Sequence, residues 1–191
     1  MADELRGRKV AILIAPEGTE HVEFEEPMKA VEQAGATVDI VGAQTGDVQT
    51  VNNDLEPGET VTVERAFSEA SPEDYDALIV PGGAVGADKL RGDDEAVGFV
   101  RSFFEQAKPV GVICHGPWTL VEADVVKGRT LTSFPTLQTD VRNAGGEWVD
   151  EEVVTDQGLV TSRGPDDLPA FCAKFVEEFA EGKHEEQARS V

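Results

Sequence analysis

Three short and almost uninterrupted apolar runs do most to limit what this chain can become. They are "RKVAILIA" (8–15), "DALIVPGG" (76–83) and "PVGVIC" (109–114). Each has the length of one strand and lacks the polar-apolar alternation of a strand with one wet face. Strands of that kind are buried on both faces and belong to parallel sheets. Parallel neighbours need crossover connections, and the intervening segments supply them. "HVEFEEPMKAVEQAG" (21–35) has helical spacing at Val22, Met28 and Val31 with a Gly35 stop, and "DEAVGFVRSFFEQAK" (94–108) reads as an amphipathic helix. The pattern predicts an α/β fold with a mainly parallel sheet covered on both faces.

The remaining segments extend the alternation. "TVDIVG" (37–42) is a second strand, and residues 44–64 hold two β-prone pieces, "VQTV" and "TVTVE", among Gly, Asn and Pro breakers, as in a hairpin. The third strand runs into a glycine turn. "GPWTLVEADVV" is helical, "GRTLTSF" strand-like and "TLQTDVRNAG" helical. "EVVTDQGLVTSR" splits into two strands about "DQG", "PDDLPAFCAKFVEEFAEG" is a closing helix, and "KHEEQARSV" reads as a frayed tail. With no repeat or linker, the 191 residues read as one domain with an ordered core over about 8–182.

No apolar run approaches the roughly 20 residues of a membrane span, and the first residues, "MADELRGRKV", lack a signal-peptide apolar core. Two cysteines, Cys114 and Cys172, make no disulfide framework, so the expected location is the reducing cytoplasm. The 38 acidic and 16 basic residues leave a net charge of −22, which repels nucleic acid and anionic lipid. The carboxylates are spread along the chain rather than gathered in a tail. That distribution reads as a surface adapted to high salt, the mark of a salt-loving source.

Ligands of open α/β sheets bind beyond the carboxyl ends of the strands. "APEGTEHVE", "PGGAVGADK" and "CHGP" follow the first, third and fourth central strands and can converge there. Cys114 at a strand-to-helix turn would lie near helix N-terminal amides, which favour a thiolate. Gly116 permits the tight turn, and Pro117 suits a first helical turn. The geometry is that of a nucleophile elbow. His115 can act as acid or base near neutral pH. Glu20 and Glu23 stand at a helix start, where the dipole alone favours carboxylates, and Asp88 alone is one of many surface acids. Cys172, spaced with Leu168, Phe171 and Phe175, reads as core; Trp118 and Trp148 read as packing residues; His21 and His184 show no convincing partner. No metal-ligand spacing is present, and "PGGAVG" lacks the dinucleotide pattern, so neither metal nor nucleotide cofactor is expected.

The segments "GVICHGPWTLVEADVVKGRTLTSFPTLQTDVRNAGGEWVDEEVV", "ILIAPEGTEHVEFEEPMKAVEQAGATVDIVG", "DALIVPGGAVGADKLRGDDEAVGFVRSFFEQAKPV" and "LVTSRGPDDLPAFC" resemble the ThiJ/PfpI family, its PfpI branch in particular, in the expected order over nearly the whole chain. The resemblance implies a flavodoxin-like three-layer α/β/α sandwich assembled as a homo-oligomer, dimer or hexamer. It implies Cys114 as nucleophile, His115 as catalytic histidine and Glu20 as the carboxylic acid contacting the sulfur. It implies Asp88 as an acid reaching the histidine of a neighbouring subunit, with the backbone amides of Gly83 and His115 as oxyanion donors. The leading activity it implies is cofactor-independent deglycase or glyoxalase chemistry on α-oxoaldehydes or their early adducts on amines and thiols. The substrates would then be small carbonyl compounds or glycated protein and peptides. Alternatives are an intracellular cysteine peptidase, or a redox-responsive protein whose Cys114 oxidises without turnover.

Overall fold

The computed structural model describes residues 3–191, the side chains of residues 189 and 190 excepted. The central strands are β1 (Lys9–Leu13), β2 (Thr37–Gly42), β6 (Ala77–Val80), β7 (Val110–Ile113) and β11 (Leu159–Ser162). With β5 (Arg65–Ala66) and β10 (Val154–Asp156) at the edges they form a seven-stranded sheet of order β10-β11-β7-β6-β1-β2-β5. Every pairing is parallel except β10 with β11, the hairpin about Gln157-Gly158.

Period-2 geometry gives the continuous apolar runs two cores. From β1 and the residues just after it, Val10, Ile12 and Ile14 meet Phe24 and Val31 of α1 (His21–Gln33) and Phe171, Phe175 and Phe179 of α6 (Leu168–Glu181). Ala11, Leu13 and Ala15 face the other way. They join Leu90 of α2 (Ala84–Arg91), Phe99, Phe103 and Phe104 of α3 (Asp94–Glu105), Leu120 of α4 (Pro117–Glu122) and Val141 of α5 (Gln138–Asn143). Each such large side chain taken fully from water stabilises the fold by about 1.5–3 kcal/mol. The result is the expected α/β/α sandwich.

Residues 44–64 do form a hairpin, β3 (Gly46–Asn52) with β4 (Glu56–Val63), outside the main sheet. Its tip, Asn53 and Asp54, has φ of 51° and 62°, a left-handed pair that Asn and Asp tolerate best. Four local expectations need correction. The glycine turn after β6 is short and leads directly into α2, so Asp88 lies on a helix. The helix after Cys114 stops at Glu122, because Asp124 is left-handed at φ 55°. The strand-like "GRTLTSF" shrinks to β8 (Thr130–Leu131), which pairs only with β9 (Glu147–Trp148) in a small separate sheet. The C-terminal segment is docked rather than frayed: Gln187 is fully buried, donates from Nε2 to the Lys108 carbonyl at 2.9 Å, and its carbonyl accepts from Arg129 Nη2 at 2.9 Å. Packing extends at the other end to the buried Leu5, so the ordered core exceeds 8–182 on both sides.

No helix among the described residues is long and apolar enough to cross a membrane.

Candidate active site

The fourth central strand delivers Cys114 at φ 61°, a left-handed conformation that costs a non-glycine residue about 1–2 kcal/mol. Three backbone bonds hold it there. The Cys114 amide donates to the Ser162 carbonyl at 3.0 Å, its carbonyl accepts from the Phe134 amide at 2.8 Å, and Gly116 N–H donates to the Ile113 carbonyl at 2.9 Å. A Cβ on Gly116 would stand 2.7 Å from Val112 Cγ1 and 3.0 Å from the Val80 carbonyl oxygen, so the chain turns this sharply only because that residue is glycine. Pro117 occupies the first position of α4, where its missing N–H costs nothing. The side chain that results is buried, with 6 % of the residue's surface exposed.

The carboxyl group beside the sulfur is that of Glu23, not Glu20. Glu23 lies on the buried stripe of α1 with Phe24, Pro27 and Val31. Its Oε2 accepts from the Gly82 amide at 2.9 Å, and its side chain is coupled to the Cys114 thiol by hydrogen bonding and charge. Oε1 has no well-aligned hydrogen bond of its own. A Cβ on Gly82 would overlap both the Glu23 carboxyl and Cys114 Cβ, which accounts for the glycine there. Burial, the largest of several effects, pushes the Glu23 carboxyl up to about 8. It therefore holds its proton at neutral pH.

Glu20 takes a different part. Both its oxygens accept backbone N–H groups from the hairpin tip, Oε1 from Asn53 at 2.8 Å and Oε2 from Asp54 at 3.0 Å. Glu20 caps α1 in extended backbone, with φ −66° and ψ 121°, whereas Glu23 lies in its first turn, so the two side chains face neighbouring but distinct targets. Asp54 in turn accepts from the Ala84 amide, at the start of α2, with Oδ1 at 2.7 Å. The hairpin is thus latched over the cleft from two sides.

His115 Nδ1 is 3.1 Å from Cys114 Sγ. Its ring stacks on Phe134, with centroids 4.6 Å apart, and meets the edge of Trp118 at 5.2 Å. Trp118 is itself fixed by Nε1 donating to Asp140 Oδ2 at 2.9 Å. Burial lowers the His115 pKa and the Asp54 charge opposes that, leaving a neutral imidazole at pH 7. The Gly83 and His115 amides both donate to the sulfur and favour a thiolate. Burial outweighs them, as does the cost of placing a second negative charge beside Glu23 once that carboxyl ionises, and the thiol is held well above the usual cysteine range. The expectation of a low thiol pKa is corrected accordingly: α4 is six residues long, and its amides cannot offset a site this dry.

Asp88 is exposed on α2, and no hydrogen bond joins it to His115 within the protomer among the described residues. Cys172 is half-buried beside the α1–α6 core, and burial pushes its thiol up to about 12. His21 and His184 do have partners: His21 Nδ1 meets Thr50 Oγ1 at 3.1 Å, and His184 Nε2 lies 3.4 Å from Glu178 Oε2. Among the described residues, His21 with Glu25 and Glu59, and His184 with Glu178 and Glu181, are the groups whose ligand atoms come within 4.8 Å of one another. Neither group lines the Cys114 cleft.

That cleft, about 260 Å³, is lined by Glu20, Glu23, Asn53, Asp54, Gly83, Cys114, Phe134 and Pro165. A thiol, a neutral imidazole, a protonated carboxyl and two backbone donors meet at one sulfur. This set can add the sulfur to an electrophilic carbon and move protons to and from the adduct. Asp54, Asn53, Phe134 and Pro165 carried no sequence signal. Glu23 did, through its helical phase with Phe24, Pro27 and Val31.

The family model described as DJ-1/PfpI matches residues 8–178. Protein/nucleic acid deglycase 2 of Escherichia coli (strain K12) is 46% identical over 166 residues, 86% of this chain and 93% of that protein. The protein named "Putative cysteine protease YraA" of Bacillus subtilis (strain 168) is 40% identical over 164 residues, 86% of this chain and 94% of that protein. Among solved structures, Drosophila melanogaster DJ-1beta superposes with a TM-score of 0.81 at 26% identity, covering 95% of this chain and 94% of that one.

Proposed function

This chain belongs to the DJ-1/PfpI family, and from that premise we propose that it is a cysteine-dependent enzyme acting on α-oxoaldehydes or their early adducts on amines and thiols. The observation that carries the reading is Cys114 at a strained elbow between His115 Nδ1, at 3.1 Å, and the Glu23 carboxyl.

The neutral imidazole of His115 takes the thiol proton as the sulfur attacks the aldehyde carbon. The electron pair of the C=O bond moves to oxygen, and the protonated Glu23 carboxyl delivers its proton to that alkoxide. The Gly83 and His115 amides, already aimed at the sulfur, lie close to the developing charge, which forms on an oxygen two bonds from that sulfur. The Glu23 carboxylate takes the C1 proton and returns it at C2 while the C1 hydroxyl proton passes to the C2 oxygen, which converts the hemithioacetal into the thioester of a hydroxy acid. Water cleaves the thioester, releasing the acid and restoring the thiol. The net change is the addition of one water, with C1 oxidised and C2 reduced. No redox cofactor enters that balance.

The buried sulfur and small cleft favour a compact carbonyl substrate over a polypeptide strand. Incubation with methylglyoxal, without added cofactor, is expected to yield lactate, whereas labelled casein is expected to remain intact. Casein cleavage without lactate formation would replace this reading with the peptidase one.

The active unit is an oligomer in which Asp88 of one protomer meets His115 of another. Supporting this, Asp88 is exposed on α2, the helix that follows the cleft residue Gly83. Bringing together protomers of charge −22 is hardest at low salt, where the screening length grows from about 10 Å at 0.1 M to about 30 Å at 0.01 M. As salt is removed, oligomer size by light scattering and turnover should fall together, and Asp88→Ala should lower turnover at high salt. A fully active monomer would refute the shared site.

A further inference from the structure

Resting on Cys114 as the reacting group, we propose that the cleft is a charge filter: it admits neutral and cationic carbonyl compounds and rejects those bearing a carboxylate or phosphate, with Asp54 as the specificity-determining residue.

The lining carries the acidic side chains Glu20, Glu23 and Asp54 and no lysine or arginine. Arg163 lines the adjoining cleft beyond Phe134 and Pro165. It is already matched by two carboxylates: Nε and Nη2 donate to Asp167 at 2.8 and 2.9 Å, and Nη1 donates to Asp150 at 2.8 Å. Its charge is therefore committed within the protein. An anionic substrate would also seek backbone donors, and the start of a helix is the usual place. At α2 that place is taken, because Asp54 Oδ1 holds the Ala84 amide at 2.7 Å. The amides of Asn53 and Asp54 are likewise held by Glu20. Those bonds orient the carboxylates without cancelling their charge. A phosphate or carboxylate next to the reacting carbonyl would enter beside two fixed negative charges, finding no free cation among the lining residues.

Asp54 and Glu20 differ in what a substitution reveals. Asparagine at 54 keeps an oxygen acceptor for Ala84 and tolerates the left-handed backbone, so Asp54→Asn removes charge with the latch retained.

The filter can be read without turnover. In a Cys172→Ser background, the rates of Cys114 alkylation by neutral iodoacetamide and anionic iodoacetate are compared with those of β-mercaptoethanol. The expected preference for iodoacetamide exceeds that of the free thiol by at least about tenfold, which is about 1.4 kcal/mol, and Asp54→Asn shrinks it several-fold. A preference equal to the free thiol's would overturn the filter. In the turnover arm, methylglyoxal should be used with kcat/KM at least about tenfold above that of phosphohydroxypyruvaldehyde, and Asp54→Asn should narrow the gap. Failure to turn over either aldehyde, with the alkylation preference intact, would sink the proposed reaction and sustain the filter. Equal turnover of both would sink the filter and sustain the reaction.

Discussion

Cys114→Ser is expected to lower methylglyoxal turnover by at least about 10³-fold, whereas Cys172→Ser stays within about twofold of the unaltered protein. The magnitude follows from what serine cannot do here. A hydroxyl is a far weaker nucleophile than a thiol, and the elbow places only this one side chain between His115 and Glu23. The variant should fold, since the left-handed backbone at Cys114 is held by its own bonds to Ser162 and Phe134 and by the Gly116–Ile113 bond across the turn, none of which involves the sulfur. Circular dichroism and thermal unfolding check that point. Cys172 has a thiol also raised by burial, to about 12, but has neither partner. High residual turnover in Cys114→Ser would remove the sulfur from the chemistry.

The second large effect belongs to Glu23. Glutamine at that position can still accept from the Gly82 amide and donate a hydrogen bond toward the sulfur, but it has no proton to give. General acid catalysis typically contributes 10²–10⁴-fold, so Glu23→Gln should reduce turnover by about 10²–10³-fold. The pH profile adds a signature that misfolding would not produce. Turnover by the unaltered protein should fall as pH rises through about 8, where Glu23 loses its proton, and this alkaline limb should vanish in the variant. Stability should follow the same group. Because the folded-state pKa is raised from 4.5 to about 8, the folded form binds the proton more tightly, and the contribution present below 4.5 is lost as pH rises through 8. Every tenfold gain in proton affinity on folding is worth at most about 1.4 kcal/mol. Glu23→Gln should therefore show a flatter dependence of unfolding temperature on pH. A variant with full activity and an unchanged profile would make Glu23 a packing residue.

Glu20→Gln is the instructive contrast. Its carboxylate acts through the hairpin tip, so its loss should raise KM more than it lowers kcat.

Local pattern alone carried the architecture of this protein. The runs of β6, β7 and of β1 beyond Lys9 are apolar at every position because both faces are covered, and that property is written in consecutive residues. The elbow was equally local: a strand end, a cysteine, then Gly116 and Pro117 leave the backbone little choice. Helical phase also contained the burial of Glu23, since it shares a stripe with Phe24 and Val31. Tertiary structure decided what each carboxylate meets. Glu20 and Glu23 are three residues apart and chemically identical. One is bound by a hairpin tip more than 30 residues away in sequence, and the other lies against a thiol more than 90 residues away. The pKa of the thiol belongs to the same class: helix amides pull it down, and only the assembled surroundings determine that burial pushes harder. Asp54 entered the site because two left-handed residues aim its side chain at the start of α2. Contacts between distant segments depend on how layers stack in three dimensions, and no periodicity along the chain encodes that distance.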